Sequence, residues 1–191
     1  MKHPFEDVPR PVFRWLMLAS LTGTLVFAVV LGAVGARFSA RTGPGGESYD
    51  ILDFEFAGTP ERVEKIFQVW GAPGIAAARR QTWLDFLFLL CYATLLVLFV
   101  VNVVARPAPD SAGWLRAGRV IAWGQWLAGL FDALENVALL VLLYRPASPA
   151  TPWPQLAAVC AAVKFSLLAA GAVFIVVAVP RRVKRRVARI A

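Results

Sequence analysis

Polar residues fall mostly between four apolar runs, at positions 12–36, 83–105, 117–144 and 155–179. Each run exceeds the ~20 residues that an α-helix needs to cross a hydrocarbon layer of about 30 Å. The ends carry boundary signals. Arg106-Pro107, Arg145-Pro146 and Pro180 follow the last three runs, where a helix is expected to stop. Trp15, Trp83, Trp114, Tyr144 and Trp153 lie near run ends, where amphipathic rings prefer the headgroup level. The first run is longer than the ~7–15 apolar residues of a signal peptide and reads as an uncleaved anchor. The pattern predicts an all-α membrane protein: a four-transmembrane-helix bundle forming one domain over 1–191, with an extracytoplasmic loop at 37–81 containing short helices and a basic tail at 180–191.

Within that loop, Thr59-Pro60-Glu61 has the form of a helix start: a hydroxyl cap, Pro at the first position, an acid in the first turn. Val63, Ile66, Phe67 and Trp70 then recur at helical spacing, and Gly71 ends the stripe. Residues 74–81 continue as helix into the second span. The stripe either lies on the membrane surface or caps the mouth of the bundle.

Composition agrees with membrane insertion. Hydrophobic residues make up 59% of the chain and charged residues 17%, against ~25% in soluble domains. The net charge of +8 would suggest nucleic acid in a soluble protein. Here the cations flank apolar runs, so membrane lipids are the expected partner, with anionic headgroups at the tail, and nucleic acid is not. Lys and Arg concentrate before the first run, between the second and third, and after the fourth. That bias places both termini in the cytoplasm of a multi-pass protein of the cytoplasmic (inner) membrane. Cys91 and Cys160 sit singly in apolar sequence and His3 is the one histidine, so no metal site or cofactor is expected.

Candidate chemistry lies inside the runs, where an ionisable group costs about 2.5–3.5 kcal/mol at mid-depth. The third run holds Gln125, Asp132, Glu135 and Asn136, spaced to share one helix face. The fourth holds Lys164, and the second holds Tyr92. Glu135 lies nine residues before Tyr144, Lys164 nine after Gln155 and Tyr92 nine after Trp83, so all three sit at one depth, about 13–14 Å in. A buried pair of Lys164 with Glu135 or Asp132, with Tyr92 donating into it, is the expected arrangement. Two acids facing one lysine leave one acid protonated or paired with a group from outside the chain. Asp85, two residues after Trp83, is read as a shallow acid at the outer interface, pairing with Arg79 or Arg80. In the first run Ala28, Gly32 and Ala36 form a small-residue face suited to contact within the bundle or with a second copy or partner membrane protein.

No metalloprotease, nucleophile-elbow, phosphate-loop or dinucleotide signature is present. The functional expectation is a lipid- or partner-binding scaffold of the membrane. A small transporter or proton/ion conductor using the acidic cluster is the alternative, and a membrane enzyme on an apolar substrate a further one. A sealed cluster would favour the scaffold, and a water-accessible one the others.

Overall fold

The computed structural model describes residues 2–104 and 112–188, with the side chains of residue 104 and residues 181–188 left out. The described residues form five α-helices and one 3-10 turn, with no strand: α1 (Arg10–Ser39), α2 (Ile51–Glu55), α3 (Pro60–Val104), α4 (Ala112–Tyr144) and α5 (Trp153–Ala188). Four of them, α1, α3, α4 and α5, are long and apolar enough to cross a membrane. The closure of the second run at Arg106-Pro107 and the contacts of the basic tail lie outside the described residues.

Helix α3 packs against α4, and α5 packs against both, making a three-helix core. Helix α1 lies outside that core, along α3. Its contact face is Ser20, Gly23, Leu31, Gly35 and Phe38, with Gly23 against the Cys91 sulfur and Gly35 against Gln81. Of the two contacts expected for the small-residue face of Ala28, Gly32 and Ala36, the one within the bundle is not made: the face is exposed in the single chain, with open space beside Gly32.

Helix α3 combines two expected elements. Thr59 Oγ1 accepts from the amide of Arg62, capping the first turn. The helix bends at Gly71, whose φ of 59° is open to glycine at little cost, and then resumes at once. No linker separates the loop helix from the long apolar helix that follows. Helix α5 runs through Pro180 rather than ending there, although the ring removes one helical hydrogen bond.

The amphipathic stripe caps the bundle. Val63, Ile66, Phe67 and Trp70 are buried with Phe38, Phe54, Leu139, Leu142, Leu143 and Ala157. The Trp70 ring lies 4.5 Å from that of Phe38, tilted by 53°, and its indole N–H donates to Tyr49 O at 2.9 Å. The sequence did not announce α2. Asp50 caps it reciprocally with Asp53, each carboxylate accepting the other residue's amide at 3.0 Å. This one-and-a-half-turn helix folds back against α3 and α5, and Phe56 just after it stacks on Phe165 of α5. The loop therefore re-enters the bundle rather than standing clear of it.

At the opposite end the N-terminal segment closes the bundle. His3 is fully buried, with its ring 5.1 Å from both Trp123 and Trp126. Glu6 accepts two hydrogen bonds from the Arg119 guanidinium, each 2.7 Å.

Candidate functional site

The polar side chains of α3, α4 and α5 converge on Lys164. Its Nζ lies 3.0 Å from Asp132 Oδ1 and 2.8 Å from Glu135 Oε2. Asp132 and Glu135 are three residues apart on α4, so both project from one face toward α5. Tyr92 of α3 donates to the other oxygen of Asp132 at 2.5 Å. The structure thus brings together Tyr92, Asp132, Glu135 and Lys164. All four are under a tenth exposed, and Glu135 is wholly buried.

A fourth segment contributes what the runs do not contain. Glu55, the last residue of α2, places Oε2 3.4 Å from Lys164 Nζ. It is 9% exposed and also meets the Glu135 carboxyl. Burial pushes the Glu55 carboxyl above its usual range, against the opposing pull of Lys164 and the hydrogen bond to Glu135. Reading only the apolar runs misses this residue, because Glu55 belongs to the loop. Its local signal is an acid between Phe54 and Phe56 behind the Asp50–Asp53 cap.

Asp85 departs from the expected surface pair. It accepts a hydrogen bond from Asn136 Nδ2 at 2.7 Å and is partly buried. Arg79 is occupied elsewhere: it donates to Leu143 O at 2.7 Å and lies over the Tyr144 ring. The cation satisfies a carbonyl in the last turn of α4, where the helix end is negative. Freed from Arg79, Asp85 turns to the amide of the facing helix, which joins Asn136 to the cluster's edge. Gln125 is not part of the charged group. It lies two turns away along α4, donates to Leu167 O at 3.0 Å, and fills the space beside Gly171.

The resulting group holds four carboxyls (Glu55, Asp85, Asp132 and Glu135) around one ammonium. Among the described residues no set of three or more His, Cys, Asp or Glu is arranged to hold a metal ion. Cys160, one turn before Lys164 on α5, is buried within electrostatic reach of Lys164 and Glu135. Chemically, the arrangement can hold segments together and can share protons among its carboxyls. Compared with known protein families, curated proteins and solved structures, the chain matches none.

Proposed function

We propose that the protein is a non-catalytic, four-span component of the cytoplasmic membrane, with both termini cytoplasmic, that acts by binding lipids or partner proteins. In this reading the Lys164 cluster is a staple, not a conduit. The observation that carries it is closure: Lys164 and its three ion-pair partners are buried, with the Glu55 side chain the most exposed at 11%, and they come from three different segments, α2, α4 and α5. A polar group on a path for ions or substrate must meet water or a passage. Here the re-entrant loop sits over the cluster, with Phe54 buried beside Glu55. A second reading, proton conduction, draws support from the excess of carboxyls over cations.

Native Cys160 reports on the choice. In a Cys91→Ala background, a small membrane-permeant maleimide should leave Cys160 unmodified in the folded protein and label it after denaturation. Rapid labelling in the folded state, together with proton flux in liposomes that Asp132→Asn abolishes, would reject the staple in favour of conduction. Reporter fusions within 43–46 and after residue 189 should land on opposite sides of the membrane, and a C-terminal fusion reporting the outside would overturn the orientation.

A further inference from the structure

At the loop end of the bundle, away from the Lys164 cluster, three arginines converge on one cleft. Arg37 comes from the last turn of α1, Arg41 lies two residues past its end, and Arg80 comes from α3 one turn before the exposed Trp83. Pro73, Ala76 and Ala77, just past the Gly71 bend, form the apolar wall. The cleft has a volume of about 310 Å³, within the ~300–1,000 Å³ range of ligand clefts.

Among the described residues these cations have no counter-charge of their own. The loop 37–81 has six basic and six acidic residues, so its sequence looks neutral. The fold separates them. Glu55 is drawn to Lys164, and Asp53 pairs with Arg62. Asp50 and Asp53 also cap α2. Among the described residues no carboxylate is within ion-pair distance of Arg37, Arg41 or Arg80. Local capping explains only part of their placement. Arg37 lies in the last turn of α1, where a cation is favoured, and Arg41 Nε donates to Arg37 O at 3.3 Å. The remaining guanidinium donors stay unassigned.

Height selects the ligand. Arg37 directly follows the first apolar run, and Arg80 precedes the second by three residues. Both therefore sit where a lipid phosphate would lie if the runs cross the bilayer. Guanidinium forks match phosphate oxygens in pairs, which a mobile ammonium does not. Pro73 and Ala76 present apolar surface beside them. We propose that this cleft binds the phosphate of an anionic lipid headgroup. The inference rests on the membrane insertion proposed above and not on the role of the Lys164 cluster.

The test uses the full chain in nanodiscs of phosphatidylcholine with a minor fraction of phosphatidylglycerol, and native mass spectrometry to count retained phosphatidylglycerol. Arg37→Gln/Arg80→Gln should weaken retention by about tenfold per guanidinium lost. Arg62→Gln/Lys65→Gln removes the same charge from the same loop and should change it little. Equal losses in both variants, or no loss in the first, would overturn the site. Soluble glycerol phosphate, added at millimolar concentration, should not displace the lipid. Displacement would assign the cleft to a free phosphate compound instead. If the double variant does not fold, Arg80→Gln alone carries the comparison, with an unchanged melting temperature as its control. A variant that inserts, folds and retains phosphatidylglycerol like wild type refutes the cleft and leaves the membrane reading intact.

Discussion

Replacing Lys164 by Met removes the one cation from contact with three carboxyls, at 2.8, 3.0 and 3.4 Å. A stranded carboxylate has two outcomes. It stays charged in a water-poor site, at several kcal/mol per ion, or it takes a proton. For a carboxyl of ordinary pKa ~4.3, protonation at pH 7 costs about 3.7 kcal/mol, at about 1.36 kcal/mol per pH unit. The second route sets a ceiling of about 3.7 kcal/mol for each carboxylate left charged, so with one such carboxylate a loss of about 3–4 kcal/mol is expected at pH 7. At pH 5 protonation costs only about 1 kcal/mol per carboxyl, and most of the loss should disappear. Denaturant unfolding of the purified protein at both pH values measures this. The double variant Lys164→Met/Glu135→Met would be near neutral if Lys164 had one partner. With Asp132 and Glu55 also in contact, it should recover only part of the loss. Full recovery should need Glu55→Gln, Asp132→Asn and Glu135→Gln together with Lys164→Met. A Lys164→Met defect equal at pH 5 and pH 8, or a fourfold variant no more stable than the single, would refute the charge argument.

Other perturbations probe the loop and the N-terminal segment. Glu55 has its pKa raised by burial, so its stabilising contribution is complete below the ordinary carboxyl value of 4.5 and is lost as pH rises through the folded value. Protease protection of the loop should therefore fall with rising pH in wild type and stay level in Glu55→Gln; identical profiles would contradict this. Burial lowers the pKa of His3, so docking of the N-terminal segment should be intact above 6.5 and weaken as pH falls below it. Tryptophan fluorescence should follow that step, and His3→Phe should remove it. Arg119 holds the Glu6 carboxyl below its usual range, which adds a second loosening as pH falls below 4.5. Trp70→Ala, at a fully buried ring in the loop core, should cost about 3–5 kcal/mol of unfolding free energy.

The helices were legible because their signals are local. Length and apolarity marked the four long helices, and equal offsets from the run ends put Tyr92, Glu135 and Lys164 at one depth. Thr59, Pro60 and Gly71 marked the loop helix by capping chemistry and backbone freedom. What stayed hidden depends on contacts distant in sequence. Glu55 reaches Lys164 across 109 positions, and no helical period links them. Asp85 looked ready to pair with Arg79 because the two are near in sequence. Across the bundle the end of α4 offers Arg79 a carbonyl and a ring, and Asn136 offers Asp85 a donor. The small-residue face of α1 was visible, but not which face α3 would cover. Gly23 and Gly35 decide that, by admitting Cys91 and Gln81 at close range.

The two kinds of contact divide the molecule. Inside a bilayer, apolar surface gives no preference for helix over lipid, so packing and polar contacts must specify which helices meet. Every charged contact of the Lys164 group joins α2, α4 and α5, and Tyr92 and Asp85 attach α3 to the same face of α4. Helix α1 contributes no residue to this network. Its middle is held by close approach alone: an added Cβ at Gly23 would lie 2.6 Å from the Cys91 sulfur. Its ends are anchored differently, by Phe38 in the loop core and by Phe13 in the cluster beneath the N-terminal segment. The charged group therefore sets the register of the three-helix core and locks the loop onto it. Helix α1 is positioned by fit along α3 and by these two aromatic anchors. A change at Lys164 should thus loosen the loop and core while leaving the α1–α3 contact in place, whereas a bulky residue at Gly23 should do the reverse.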